Sequence, residues 1–292
     1  MLYWIIVGIA WVVGAILFAV IGVLATRRMV RVHVREGHND VLVPLFLTAG
    51  VIYAVLLAFM VIAMWETYDN AKANVAEEAS LLVPMYRQAE DFSPDTSVVM
   101  HQLIRDYAEG VLDQWDRFTK TALGSTSARI TVDNMIYLFG TMVPATASRQ
   151  IVDTQFFATF SQLMEDRNKR LLQASESLSW IMWVAAIGGG VVTVGMAFVL
   201  YMDKPAPQVV MVSVLSALIG TLLFIMMVLD KPFLGPMAIA PEPFEATLSL
   251  LKQIDGDFNA INAHQGIIDP KSIPETAPAA SAGESKGESN AH

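Results

Sequence analysis

Four apolar runs without one acidic or basic side chain constrain this chain more than any other feature: residues 2–26, 43–65, 178–202 and 209–229. A helix needs about 20 apolar residues to cross a hydrocarbon core roughly 30 Å thick, and each run meets that length. In lipid every backbone N–H and C=O must be satisfied within the segment, which selects helices over open strands. The expected fold is all-α: a polytopic membrane protein with four transmembrane helices, extended by a helical soluble region. Tyr3, Trp4, Trp65, Tyr68, Trp180, Trp183 and Tyr201 fall near the ends of the runs, where aromatic side chains anchor spans at the interface. The first run has no basic segment before it and is longer than a signal-peptide core, so it reads as a retained span.

Composition narrows the function. Charged residues make up 16% of the chain, against about 25% in ordinary soluble domains. They lie between the apolar runs. A formal net charge of -9 and the lack of a basic stripe exclude nucleic acid as an expected partner, because binding phosphates takes clustered Lys and Arg. There are no cysteines, so disulfides, thiolate metal sites and cysteine nucleophiles are ruled out. The first partner is the lipid bilayer, and a multi-pass protein of the plasma membrane is expected.

Small residues mark where spans approach one another. Gly50, Ala54 and Ala58 recur at i, i+4, i+8 on the second span, and Gly8, Gly22, Gly188 to Gly190, Gly195 and Gly220 are spread over the other three. Helices in lipid associate largely through close backbone approach at such positions, so the Gly50–Ala54–Ala58 stripe is an expected helix–helix contact, within or between subunits. Arg27, Arg28, Arg31 and Arg35 follow the first span and no charge precedes it. By the positive-inside rule residues 27–42 are then cytoplasmic and both termini are outside, although Arg167, Lys169 and Arg170 before the third span pull the other way.

Residues 66–177 are polar with apolar positions at helical spacing. Trp65 to Arg87 continues the second span into water. Ser93-Pro94-Asp95 provides a helix start, and Ile104, Tyr107, Val111, Trp115 and Phe118 form one apolar face. Gly124-Ser125-Thr126-Ser127 breaks the chain. Helices over 128–142 and 146–177 follow, divided at Pro144, the last running into the third span without a breaker. After the fourth span, Asp230-Lys231-Pro232-Phe233-Leu234-Gly235 makes a turn. Phe244, Leu248, Leu251, Phe258 and Ile261 then form the stripe of an amphipathic helix, expected to pack on the protein's own soluble region. The segments are thus 1–66 (two spans and a basic loop), 67–177 (helical soluble region), 178–230 (two spans), 231–264 (turn and amphipathic helix) and 265–292. This last stretch is too poor in apolar residues to offset its ordering entropy and is expected to be disordered.

Catalytic patterns are missing. Glu66, Asp69, Glu77 and Glu78 cluster at near-helical spacing, but a di-metal bundle would need Glu-x-x-His pairs, and no His has Glu three residues before it. These carboxylates read as a solvated helix face. His101 reads as a surface or hydrogen-bonding histidine. No phosphate loop, Gly-x-Ser-x-Gly or His-Glu-x-x-His occurs. An enzyme, a cofactor and a metal are therefore not expected. No charged group lies inside a span, which disfavours a proton relay. Passive conduction or a sensory or structural role remains.

Several blocks resemble a known family. Gly37-His38-Asn39-Asp40, Gly50-Val51-Ile52-Tyr53-Ala54-Val55-Leu56-Leu57-Ala58-Phe59, Trp65-Glu66-Thr67-Tyr68-Asp69-Asn70-Ala71, Glu78-Ala79, Arg167-x-x-Arg170-Leu171, Trp183 and Leu229-Asp230-Lys231-Pro232-Phe233-Leu234-Gly235 together look like the bacterial DUF4239, or bestrophin-like, family. The resemblance implies a distant relation to bestrophins, pentameric anion channels with four spans per subunit and a helical cytosolic body. It implies a homo-oligomer, a pentamer by analogy, conducting small inorganic ions. Carried over, the second span lines the pore, with Val51, Val55 and Phe59 as an apolar neck followed by a segment containing Trp65, Glu66, Tyr68, Asp69 and Glu78. The turn carries Asp230, Pro232, Phe233 and Gly235. Facing lipid is the alternative for the three neck residues. The stretch Pro236 to Phe244 has a single acidic residue before Phe244, Glu242, so the calcium gating of bestrophins is not expected. The acidic middle region leaves cation conduction open. The rival reading is a non-conducting membrane sensor or scaffold whose soluble region binds a partner.

Overall fold

A computed structural model describes residues 2–29, 37–121, 124–142, 147–200, 202 and 204–265. The basic loop beyond Met29, the division at Pro144 and the tail after Gln265 lie outside the described residues. Among these residues every regular element is a helix: α1 (Leu2–Met29), α2 (Gly37–Ser80), α3 (Leu82–Ala89), α4 (Pro94–Asp113), α5 (Trp115–Thr121), α6 (Thr126–Gly140), α7 (Ala147–Ser175), α8 (Trp180–Val199), α9 (Pro205–Leu229) and α10 (Glu242–Gln265). Four helices are long and apolar enough to span a membrane: α1, α2 together with its continuation α3, α8 and α9. This is the all-α, four-span fold that the uncharged runs dictate. The chain divides into two units, Met1–Leu250 and Leu251–His292, the second beginning inside α10.

Glycines set the span contacts. α1 lies along α9, where a Cβ at Gly220 would come 2.8 Å from that of Ala15 and the Ser216 hydroxyl donates to the Ala15 carbonyl at 2.7 Å. The Phe198 ring occupies the space that a side chain at Gly22 would need. α2 meets α8 through Tyr53, whose ring lies over Gly189 and Gly190 and whose hydroxyl donates to the Ala186 carbonyl at 2.8 Å. That bond satisfies a phenol that would otherwise be left without a partner in lipid. At the other end of α8, Arg27 donates to the Met202 carbonyl at 2.6 Å and to Gln208 Oε1 at 2.8 Å. Gln208 in turn donates to the Leu200 carbonyl at 2.8 Å. These bonds satisfy carbonyls just past Val199, the last residue of α8.

α2 is 44 residues long, so at about 1.5 Å per residue it runs roughly 66 Å and projects well beyond a bilayer core. α3 continues it after one irregular residue, Leu81. Pro84 has no N–H for the Ser80 carbonyl, and its ring crowds that carbonyl. Ser93 precedes α4 with Pro94 in its first turn. The break before α6 is capped by Ser125, whose hydroxyl accepts the Ala128 N–H at 3.1 Å. The passage from α7 into α8 corrects the sequence reading, which ran the last soluble helix into the third span. Helix stops at Ser175 and restarts at Trp180, after an extended Ser179. The Leu178 N–H donates to Asp230 Oδ1 at 2.6 Å, which holds the backbone out of the helix.

Candidate functional site

Successive residues of a helix turn by about 100°, which gives α2 two opposite faces. One packs inside the chain: Tyr53, Leu57, Met60 and Met64 are buried with partners from α8 and α9. The other carries Val51, Val55 and Phe59, which are 63%, 50% and 68% exposed. Ile62, Glu66 and Asp69 extend the same face, all exposed. The chain's own contacts therefore leave open the row that the resemblance assigns to the neck.

Gly50, Ala54 and Ala58 lie between the two faces, along an open apolar groove of about 690 Å³ bordered on its far side by Leu218 and Leu222 of α9. A Cβ at Gly50 would meet nothing within 4 Å, so this stripe makes no close helix contact within the chain. Gly188 and Gly195 are equally open. Close contacts occur instead at Gly8, Gly22, Gly189, Gly190 and Gly220. Leucine at Gly189, where a Cβ would lie 2.5 Å from the Tyr53 ring, is expected to lower the melting temperature of the purified chain. Leucine at Gly50 is expected to leave that temperature nearly unchanged and to shift native mass spectra toward smaller oligomers. Unchanged oligomers in the Gly50 variant would make this stripe lipid-facing.

Beyond the span, α2 ends in a buried ionic cluster. Glu78 is fully buried, which corrects its reading as part of a solvated acidic face. Glu66, Asp69 and Glu77 are exposed, but Glu78 continues the buried row of Ala71, Asn74 and Val75. Arg170 of α7 meets it with two parallel bonds, Nε to Oε2 at 2.6 Å and Nη2 to Oε1 at 2.9 Å. The Tyr107 hydroxyl of α4 donates to Oε1 at 2.6 Å. The Arg170 guanidinium also sits 4.9 Å from the Phe118 ring centre, 5.8 Å from Trp115 and 5.9 Å from Phe244, distances at which ring quadrupoles attract a cation. Burial alone would push Arg170 down, but the adjacent Glu78 carboxylate outweighs it and holds the guanidinium above its ordinary range. Burial, and after it Glu78, push the Tyr107 phenol well above its usual value, against the opposing pull of Arg170 and Arg167. Tyr107 therefore stays a hydrogen-bond donor. One helical turn before Glu78, Asn74 Nδ2 donates to the Asp166 carbonyl at 2.8 Å, and the buried Asp166 carboxylate accepts from Gln162 and Lys169, each at 3.1 Å.

The turn after α9 joins this cluster to the membrane helices. Asp230 ties the end of α9 to the start of α8 through Leu178. Gly235 takes a positive φ of 91°, a conformation open to glycine at little cost, and the Ile239 N–H closes the turn on the Pro232 carbonyl at 2.9 Å. Phe233, buried, then packs edge-on against Phe118 at 5.1 Å, and Trp115 Nε1 donates to the Ile239 carbonyl at 3.3 Å. Tyr68 adds a link, its hydroxyl donating to the Met237 carbonyl at 2.9 Å, while Trp65 stays exposed. Phe244, on α10, meets the Trp115 ring, and Thr247 donates to the Ala79 carbonyl at 3.2 Å. His101 stacks on Tyr86 at 3.9 Å with Nε2 2.8 Å from the Tyr86 carbonyl oxygen.

Thus Glu78, Arg170 and Phe233, far apart in sequence, share one interior. Both oxygens of Glu78 are occupied, and the cluster ties the α2 extension to α4 and α7. Asp166 went unassigned in the sequence reading, and Arg170 entered it only as a basic residue before the third span and as part of the resemblance, although a signal for its burial existed. Phe156, Phe160, Leu163, Arg167, Arg170 and Ala174 follow i, i+4, i+7, i+11, i+14, i+18, placing two arginines on the buried stripe of α7. No curated protein and no solved structure matches the chain. Residues 13–244 match the bestrophin-like domain, a stretch that contains the exposed α2 face, the buried cluster and the Asp230–Gly235 turn, and the chain is therefore a multi-pass membrane protein of the bestrophin-like family.

Proposed function

We propose that this protein is a homo-oligomeric ion channel, pentameric by analogy with bestrophins, in which Val51, Val55 and Phe59 of each α2 face a shared axis and form an apolar neck. The observation that supports this is the division of α2 into a packed face and an opposite exposed one. That exposed face changes from apolar residues to the carboxylates of Glu66 and Asp69 without leaving the same side of the helix. A narrow apolar ring gates by excluding water, and rings of Asp and Glu favour cations; sodium and potassium are the expected permeant ions. Flux of sodium, potassium and chloride through liposomes holding the purified protein tests the reading, with serine at Val55 or Phe59 expected to raise the flux.

The second reading, a non-conducting sensor or scaffold, is favoured by apolar side chains exposed outside the spans. Ile130 and Tyr137 on α6 and Ile151 on α7 are 50%, 76% and 71% exposed, a surface that a partner or a second copy would cover.

The orientation carried by Arg27 and Arg28 gives a separate prediction. Cysteine at Arg35 is expected to react only from the cytoplasm, and cysteine at Thr126 only from the opposite side. Labelling of the Thr126 site from the cytoplasm alone would reverse the topology.

A further inference from the structure

The exposed row of α2 does not stop at the neck. Eleven residues of a helix make three turns with about 20° to spare, so side chains eleven apart lie on one line. Asp40, Val51 and Ile62 share such a line, and Pro44, Val55 and Glu66 share the next, all of them exposed. The row therefore runs from a carboxylate through the apolar neck to a second carboxylate. Asp40 stands about 16 Å before Val51 and Glu66 about 10 Å beyond Phe59, at roughly 1.5 Å per residue.

Backbone chemistry at this end also calls for water. Pro44 lies inside the helix and has no N–H for the Asp40 carbonyl. A carbonyl left open beside a membrane has to meet water or another donor. The Thr48 hydroxyl turns back to the Pro44 carbonyl at 2.9 Å, so it does not supply one. Asp40 thus offers two oxygen acceptors, a carboxylate and a carbonyl, where the row leaves the apolar run. An acid in a first helical turn also offsets the helix dipole, but that role favours no particular ion. Building on the channel reading, we propose that Asp40 from each copy forms a second ring of carboxylates, at the mouth opposite Glu66 and Asp69, and selects sodium and potassium over chloride there. Residues 27–40 hold Arg27, Arg28, Arg31 and Arg35 against Glu36 and Asp40, a net basic stretch that by itself would draw anions. Asp40 is the acid that stands on the row, and its ring reverses the sign of the field that an entering ion meets.

The chain has no cysteine, so Asp40→Cys gives a single thiol whose charge can be set after folding and assembly. The test measures the reversal potential of the full-length protein in planar bilayers under a tenfold potassium chloride gradient, imposed in both directions. Asp40→Cys is expected to lower the potassium-to-chloride permeability ratio roughly threefold or more, most with dilute salt at the Asp40 mouth. An anionic sulfonate thiol reagent should restore the ratio, and a cationic ammonium one should lower it further. These differences should fade at about 1 M salt, where the screening length is ~3 Å. Asp95→Asn, which removes an exposed first-turn acid on α4, should leave the ratio unchanged. A wild type that conducts, with the same ratio before and after each change at residue 40, would overturn the ring while leaving the channel reading intact. A wild type that carries no current would overturn both.

Discussion

Methionine at Arg170 is expected to lower the melting temperature of the solubilised protein by roughly 6–20 °C, corresponding to a loss of about 3–5 kcal/mol. The substitution strands the Glu78 carboxylate, fully buried, with only the Tyr107 hydroxyl as a partner. It also removes a cation from among the Trp115, Phe118 and Phe244 rings. Glutamine at Glu78 should cost a similar amount for the mirror-image reason, since it leaves the guanidinium uncompensated. Phenylalanine at Tyr107 removes one bond to a charged group and should cost less, about 1.5–3 kcal/mol. The informative case is the double variant. Removing both charges of a buried pair in favour of apolar side chains is often nearly neutral, so Glu78→Leu with Arg170→Met is expected to recover most of the lost stability. Recovery in the double variant with altered ion flux would assign the pair to fixing the geometry of α2. A double-variant loss equal to the sum of the two single losses would show that the two residues act independently.

The bilayer explains why the fold was so legible. The four spans follow from residues 2–26, 43–65, 178–202 and 209–229 alone, because an uncharged run of that length has few other structures open to it. The buried face Ile104, Tyr107, Val111, Trp115 and Phe118 follows from its spacing, and the Ser93-Pro94 and Gly124-Ser125 punctuation from local backbone chemistry. Where the reading failed, the deciding partner was distant in sequence. The break between α7 and α8 depends on Asp230, 52 residues after Leu178, and neither segment announces it. Glu78 looked solvated because its neighbour Glu77 is, and one residue separates opposite environments on a helix. Its burial depends on Arg170, 92 residues away. Gly50 and Gly189 are alike in sequence. Only the position of the Tyr53 ring makes one a contact and leaves the other open.

The largest functional effect is expected at the neck. Val55 and Phe59 are exposed in the single chain, so replacing them with serine removes no contact on which the chain's own fold depends. If these residues face a shared axis, the hydroxyls wet a constriction that the apolar ring keeps dry, and ions then cross with their hydration partly retained. If they face lipid, the same substitutions only place a hydroxyl in hydrocarbon and leave permeability at background. Carboxylates at Glu66 and Asp69 predict a further dependence: neutralising both as Gln and Asn should lower sodium and potassium flux relative to chloride.

The most direct test is therefore flux of sodium, potassium and chloride from liposomes containing wild type or the Val51→Ser, Val55→Ser, Phe59→Ser triple variant, each first shown to be folded and oligomeric. The channel reading predicts cation flux that rises at least several-fold in the triple variant. Background flux for all three ions in both proteins would contradict it, and the exposed surface of Ile130, Tyr137 and Ile151 would then be where a partner is sought.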